Sequence, residues 1–557
     1  MKEKIIVILC MSAVLLGCSE LDEENLTQLN RNDIEVLLED PSQDFLNTLI
    51  SGLYSPLIPN FTERLVFNLQ EASTDEVIVP TRSRADGGTD WFDGGRYVAL
   101  HTHTWTPEEV TLTDVFNNLQ QGIASCLETI DILSSNTENE GVQIALAEAQ
   151  ALLAFYSFYM FDLFGQIPYV DLSTDENTVL TSDAAISEIE RLLTISIPIL
   201  GDKATSAAGT RFSKAAAQTL LAKLYLNKAV YANRYASSYN FQTTDMDNVI
   251  AQTDEVISTG GYSLTSDYFG LFEGDNDTND SADEIIFAAD LQAGVSGNRA
   301  FIAMTLSQGM YGADDGSFRG WNGFATTPEF VDSWDTTDPR YYEENIPQVD
   351  GATIAPEDYE LNRGIQVGVQ YGAVPVDEND VPTEGGSFRK DDNGNIIIQE
   401  LRNFLRDNDI IDHTKAVSLE DTQEAGARVF KYGYDTPGPG RWDTNMNIPL
   451  MRLADAYLMR AEAKLRNGDE AGALLDVNTV RTARGTSLLS SIDLDGLLAE
   501  RGFEFYWEQQ RRTDLIRFGK FNDAYTEKPV TQAFLRVYPI PRNALAASTL
   551  LNQNEGY

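Results

Sequence analysis

Helical periodicity brackets this 557-residue chain at both ends and fails in the middle, and that three-part pattern constrains the fold more than any single motif. From about residue 45 to 260 apolar residues recur every three to four positions. Residues 143–164 read as an apolar-rich helix stopped by Gly165 at a C′ position, with Pro168 soon after. Residues 213–231 read as another, with Ala216, Leu220, Leu221, Leu224 and Ala229 at helical spacing, and 247–258 as a third, closed by Gly260-Gly261. Between 261 and 445 the period fades, and Gly, Asp, Asn, Thr and Pro become dense. Short runs at 284–288 and 396–398 read as strands there, the second preceded by the turn signal Asp392-Asn393-Gly394-Asn395. After 445 the helices return. Pro449 is placed at a helix start, where its missing N–H costs nothing, and Leu450, Leu453, Ala454, Tyr457, Leu458, Ala461 and Leu465 form one apolar face. Asn467-Gly468 stops that helix, and Asp469 caps the next, which runs to about Ala483. Ala461, Gly468, Ala473 and Val480 have the small-residue spacing of a tetratricopeptide helix pair, which lets two antiparallel helices approach closely. The expected fold class is mainly α: tetratricopeptide-like helix pairs form a scaffold and hold on one face a long irregular loop and short-strand insertion, the kind of segment that usually carries function.

The first twenty residues bear on where the chain works. Lys2 and Lys4 precede an apolar run, 5–16, that is shorter than the ~20 residues a membrane span needs. A basic start, a short apolar core and the small Gly17 make a secretion signal. Cys18 directly behind it resembles the lipobox of bacterial lipoproteins, with Leu16 a less usual residue inside the box. The resemblance implies a signal peptide over 1–17, acylation of Cys18 and a lipidated tether over 18–44; an ordinary signal cut elsewhere is the alternative. Several acyl chains on one Cys anchor far more firmly than one. The acidic stretch 19–24 is a solvated tether that also looks like the export signal of surface-exposed outer-membrane lipoproteins. With Cys10 removed and Cys18 blocked, Cys126 stands alone, so no intramolecular disulfide forms and Cys126 serves as packing.

Charge narrows the partners. Asp and Glu number 86 against 40 Lys and Arg, a net charge of −46, which runs against binding phosphate backbones or anionic headgroups. Hydrophobic residues at 42% and aromatics at 10% exclude general disorder.

The sequence carries no G-x-S-x-G, Walker A, G-x-G-x-x-G or C-x-x-C motif. His101, His103 and Trp105 alternate with Thr102 and Thr104 and are expected on one face of a strand; a third metal ligand is not evident nearby, and His413 has no partner in sequence. Asp275, Asp277 and Asn279 begin like an EF-hand, but Asp280 takes the glycine position and Ile286 that of the closing Glu, so a standard EF-hand is excluded. A solvated acidic turn is expected; an irregular calcium site stays open. No metal or other cofactor is otherwise expected. Two carboxylates suffice for glycoside hydrolysis, but nothing singles out a pair.

Several segments together resemble one family. They are Asp162-Leu163-Phe164-Gly165-Gln166-Ile167-Pro168-Tyr169-Val170, the run from Pro449 to Ala463, and Asn478-Thr479-Val480-Arg481-Thr482-Ala483-Arg484-Gly485. A charged helix follows with Glu500, Arg501, Glu504, Glu508, Arg511, Asp514, Leu515 and Arg517, then Tyr538-Pro539-Ile540-Pro541 and the terminal Gln553-Asn554-Glu555-Gly556-Tyr557. In this order they resemble the SusD/RagB family of outer-membrane nutrient-uptake lipoproteins. Gln509 departs from the family's usual Gly, and Arg512-Thr513 from a common aromatic pair. On the helix itself Glu508 and Arg512, and Arg511 and Asp514, are spaced to pair on an exposed face, each pair worth ~0.3–0.5 kcal/mol. The resemblance implies a SusD-like domain in three parts: an N-terminal helical part at 45–260, an irregular ligand-binding insertion at 261–445 and a C-terminal helical part at 446–557. It implies a non-enzymatic, surface-exposed lipoprotein that captures an oligosaccharide and passes it to a SusC-like TonB-dependent β-barrel transporter, acting as a lid. A peptide-binding uptake lipoprotein of the same family and a surface glycoside hydrolase are the alternatives.

A sugar ring has apolar C–H faces and polar edges, so its site needs flat aromatics with fixed polar groups beside them. Residues 81–97 offer Arg82, Arg84, Asp86, Asp90, Trp91, Phe92 and Tyr97, with Gly87-Gly88 and Gly94-Gly95 letting the loop turn. Residues 311–324 offer Tyr311, Asp314, Asp315, Arg319, Trp321 and Asn322, just before Thr327-Pro328-Glu329-Phe330, a place where the family draws ligand contacts from loops. The expected ligand-binding set is Arg82, Asp90, Trp91, Tyr97, Tyr311, Trp321 and Asn322. Trp334 and Trp507 are expected in the core, and Trp442, after Pro437-Gly438-Pro439-Gly440, is a third aromatic candidate.

Overall fold

The computed structural model describes residues 37–557 apart from 63, 84–88, 202–208, 260, 292–303, 307–309, 313–319, 384–385, 402–409, 412–424 and 434–444. The signal, Cys18 and most of the tether lie outside the described residues, as do Arg84, Asp86, Asp314, Asp315, Arg319, His413 and Trp442.

Eight helices form a continuous array: α1 (Val110–Leu133), α2 (Glu140–Phe164), α3 (Ser182–Ser196), α4 (Lys214–Ala232), α5 (Thr243–Thr259), α6 (Leu453–Arg466), α7 (Glu470–Ala483) and α8 (Leu494–Phe505). Each of the first six packs against its successor, and α8 returns to α6. The step from α5 to α6 skips residues 260–452, so the irregular segment leaves the array at one helix and re-enters beside it. Local sequence sets the helix starts: the side chains of Asn139, Ser213, Asp469 and Asp493 each accept a hydrogen bond from the backbone N–H three residues on. At the end of α2, Gly165 is left-handed at φ 71°.

α2 is long and apolar enough to cross a membrane, but most of it is buried as the central core helix, with Phe155, Tyr156, Phe161 and Phe164 at 1% exposure or less. Between α6 and α7, Ala454, Leu458 and Ala461 meet Ala473, Val477 and Val480 in a cluster, where small residues allow the close approach expected of a tetratricopeptide pair. The chain is therefore mainly α, with short strands scattered through the rest. After Gly165 the chain forms the antiparallel hairpin β1 (Gln166–Asp171) and β2 (Glu176–Thr181), with Tyr169 opposite Thr178.

Three local expectations change. Pro449 lies not at a helix start but inside β4 (Ile448–Arg452), which pairs antiparallel with β3 (Ile285–Ala289); α6 begins at Leu453. The register shifts just after Pro449, an irregularity of the kind that tolerates proline in a strand. His101 is not on a strand either. It sits in the helix Arg96–Thr102, which His103 ends at φ 57° while the N–H groups of His103 and Thr104 bond back to Leu100 and Ala99. Alternation over five residues fits a short helix and its cap as readily as a strand, and distant partners decided between them. His103 Nε2 donates to Ser73 O at 2.8 Å and its Nδ1 accepts from Thr531 Oγ1 at 3.2 Å, while Trp105 donates to the Tyr557 hydroxyl. Burial holds the His103 ring well below its ordinary pKa, so it stays neutral.

The third change concerns the charged helix. It breaks between Phe505 and Arg511, with Trp507 and Gln509 at positive φ (61° and 62°), so the expected surface pairs do not form. The left-handed backbone at Gln509 is one that glycine would adopt without steric cost. Glu508 instead pairs with Lys431 and Arg452, Arg511 with Asp75, Asp514 with Arg501 and Arg517, and Arg512 with Asp162. All of these charges but Asp75 are buried. Glu504 accepts from Arg340, Arg452 and Arg484 together, and Glu284 from Arg452 and Arg484. Burial pushes the Glu504 carboxyl up, but the three guanidinium groups outweigh it and hold the carboxyl well below the usual range. The network joins α8, the end of α7, β3 and β4 to the irregular segment through Arg340 and Lys431.

Candidate functional site

Two distant segments meet at Gly323. The first is a two-stranded ribbon, Arg82–Ser83 against Thr89–Asp90, followed by a tight turn into the helix Arg96–Thr102. The second runs from Trp321 to Phe324, held by the Asn322 N–H on Leu306 O (2.7 Å) and the Gly323 N–H on Met304 O (2.6 Å). The Trp91 ring lies directly on Gly323: a Cβ there would sit 2.3 Å from the indole. Only glycine permits that approach. The Trp91 indole N–H donates to Trp321 O at 3.1 Å, and the two indoles lie 6.3 Å apart at 41°. Beneath them Trp91 meets Tyr97 (6.1 Å) and Phe324 (5.7 Å), and Phe324 continues to Phe67 and Trp507 in the core.

Arginine side chains brace this junction from below. Arg82 donates to Gly323 O (3.0 Å) and Ala425 O (3.3 Å). Arg428 donates to Asn322 Oδ1 (2.7 Å) and Ala425 O (2.9 Å), and burial pulls its pKa down to about 9. A guanidinium has five donors in a fixed fork, so one buried side chain can tie several carbonyls at once. Asn322 itself is left-handed at φ 56°, a conformation asparagine tolerates well.

Five of the seven expected residues, Arg82, Trp91, Tyr97, Trp321 and Asn322, thus come together around one point, with Asp90 opposite Arg82 in the ribbon. Their burial divides them. Arg82, Tyr97 and Asn322 are buried and act as support, while Trp91 and Trp321 are half-buried and Asp90 partly exposed. Tyr97 accepts from Arg64 at 3.3 Å, and burial raises its hydroxyl pKa. Tyr311 lies apart: its ring is buried with Ile346, Phe388 and Ile398 in a satellite core, and its carbonyl accepts from Tyr359. Trp334 and Trp507 are buried in the main core.

One exposed ring falls outside the expected set. Phe92 is 52% exposed, at the tip of a turn in which Trp91, Asp93, Gly94 and Gly95 all have positive φ. Left-handed backbone at the non-glycine residues Trp91 and Asp93 is costly unless surrounding structure fixes it, and such residues are concentrated at binding sites. The sequence signal was there in Asp93-Gly94-Gly95, but which of two adjacent aromatics faces out depends on the turn. Arg428 and Phe324 were likewise missed; they matter only because of what packs on them. The arrangement offers flat rings edged by fixed backbone and carboxylate groups. No described cluster of three or more His, Cys, Asp or Glu could hold a metal ion. The acidic turn at 275–279 is tied to its surroundings by Asn276, which donates to Leu271 O and Asn447 O, and by Asn279, which donates to Gly270 O.

The family model described as SusD family matches residues 283–557, and one described as starch-binding associating with outer membrane matches 70–226. The chain is 26% identical over 520 residues to the starch-binding protein SusD of Bacteroides thetaiotaomicron, covering 89% of this chain and 85% of that one. Among solved structures it is similar to a laminarin-binding SusD-like protein (TM-score 0.64, 20% identity, 92% of this chain and 99% of the other). It is also similar to surface glycan-binding protein A from Bacteroides thetaiotaomicron in complex with laminarihexaose, at the same score, identity and coverage.

Proposed function

Because this chain belongs to the SusD family, its two family models together matching residues 70–226 and 283–557, we propose that it is a non-enzymatic glycan-binding lipoprotein of the outer membrane. It captures a neutral oligosaccharide at the cell surface, where acylated Cys18 anchors it, and hands it to a TonB-dependent β-barrel transporter. The observation that carries the reading is the Trp91–Trp321 pair, braced on Gly323 and fronted by exposed Phe92. Rings at such an angle present adjacent faces to the C–H surfaces of successive sugar units, while Asp90 and neighbouring carbonyls lie within the same patch to meet hydroxyls. The starch-binding, laminarin-binding and laminarihexaose-bound relatives support a glycan as the ligand class. Binding and release change no covalent bond, so mechanism reduces to affinity and handover. Calorimetric titration against soluble glycans and peptides tests it. One glycan class should bind, and Trp91→Ala with Trp321→Ala should weaken it by at least about tenfold. Undiminished affinity in the double variant, or binding of peptides alone, overturns the assignment.

A further inference from the structure

The β1–β2 hairpin stands between two hollows. Asp171 and Leu180 line one hollow of about 490 Å³, Pro168, Val170, Asn177 and Val179 line the other, of about 600 Å³, and Tyr169 and Thr178 border both. In the smaller hollow Glu188 is already satisfied: Arg191 pairs with it and the Tyr169 hydroxyl donates to it. The larger is different. It is walled by α1, the hairpin and the C-terminal segment 543–551, and among the described residues no Asp, Glu, Lys or Arg lines it. In a chain of net charge −46 that is a pronounced local neutrality. Ile123, Leu127, Val179 and Leu551 supply an apolar floor. Around it stand four amides: Asn117 and Gln120 one helical turn apart on α1, Asn177 on β2, and Asn543. The side chains of Asn117, Gln120 and Asn177 are not engaged by hydrogen bonds among the described residues.

We propose that this groove is a second binding site, for a short neutral oligosaccharide; the choice of sugar among neutral polar ligands rests on the function proposed above. A charged ligand would find no countercharge, and a wholly apolar one would strip water from the amides without replacing its hydrogen bonds. A sugar hydroxyl both donates and accepts, as an amide does, and ring C–H faces suit the aliphatic floor. The volume lies within the ~300–1,000 Å³ usual for small-ligand sites. The groove shares no residue with the Trp91–Trp321 platform, so the two sites can be occupied independently.

The test is hydrogen–deuterium exchange on the full chain with maltotriose, laminaritriose or cellotriose at roughly 10 mM, saturating for a millimolar site. Exchange at 166–181 and 543–551 should slow with at least one sugar, and should still slow in the Trp91→Ala/Trp321→Ala variant. Asn117→Ala with Asn177→Ala should weaken that response about tenfold. Both residues are exposed, so the fold should be retained, and Ala124→Trp should block the groove sterically. No slowing with any sugar overturns the proposal, as does slowing that survives both the double alanine and Ala124→Trp variants. Protection confined to 89–95 and 321–324 leaves the platform reading standing and removes this one; protection of the hairpin alone does the reverse. Protection by the detergent-solubilised transporter but by no sugar makes the groove a protein-docking surface and also overturns it.

Discussion

In the helical array, order comes from apolar faces that recur every turn, from capping side chains one turn ahead of each helix, and from small residues where α6 meets α7. Around the platform there is no such period. Order there comes from side chains that reach across the chain to fixed acceptors: Arg82 to Gly323 O and Ala425 O, Arg428 to Ala425 O and the Asn322 side-chain Oδ1, and the Trp91 indole to Trp321 O. The contrast teaches that an irregular surface can be held in place without regular secondary structure if its carbonyls find fixed donors. The buried ion network couples the two regions, because Arg340 and Lys431 of the irregular segment meet carboxylates of the C-terminal helices and their junction.

That coupling can be broken. Arg452→Ala leaves Glu284, Glu504 and Glu508 short of a buried partner and should cost about 3–5 kcal/mol in chemical denaturation, with array and platform losing stability together. A denaturation curve that does not move would show that the network is dispensable.

Gly323→Ala should act on the platform alone. Its Cβ would enter the Trp91 ring, at a cost of about 1–3 kcal/mol for overpacking. Far-ultraviolet circular dichroism should be unchanged while glycan affinity falls; equal affinity would mean that Trp91 need not lie on Gly323. Phe92→Ala should give a smaller loss than removing Trp91 and Trp321, because the exposed ring braces nothing. A calorimetric titration of this variant against the double tryptophan variant ranks them, and an equal or greater loss would move the centre of the site to Phe92.

Acidification sharpens the comparison differently. Burial alone would raise the Asp514 carboxyl, but Arg501 and Arg517 hold it at about 2. Its contribution is therefore complete above the unfolded carboxyl pKa of about 3.9 and is lost as pH falls toward 2. His103 is held neutral by burial, so its contribution is complete above its unfolded pKa of about 6.5 and declines as pH falls below it. Melting temperature followed from pH 7.5 to 5 should fall less in His103→Gln, taken relative to its own value at pH 7.5, than in the parent.

Residues 143–164 were legible because a dense apolar run and the Gly165 stop agree, and 470–483 because the Asp469 cap and a face of small apolar residues agree within a dozen neighbours. Pro449 misled because proline suits both a helix start and an irregular strand, and only β3, far away in sequence, distinguishes them. Glu508 and Arg511 misled because spacing shows which charges can meet, not whether the backbone between them stays helical. Trp91 and Trp321 could be named from turn-rich surroundings, yet the sequence held no sign that the Trp91 ring lies on Gly323 or that Tyr311 turns away into its own small core.

Sequence by itself determined the helical frame, the uninterrupted length of α2 and the family, because periodicity and short motifs are local properties of the chain. Tertiary structure decided which charges are buried together, which aromatic rings face out, and that a neutral hollow lies beside the hairpin. Those depend on contacts between residues hundreds of positions apart, and the free energy of burying a guanidinium or exposing a ring is set by the whole surrounding packing rather than by its neighbours in the chain.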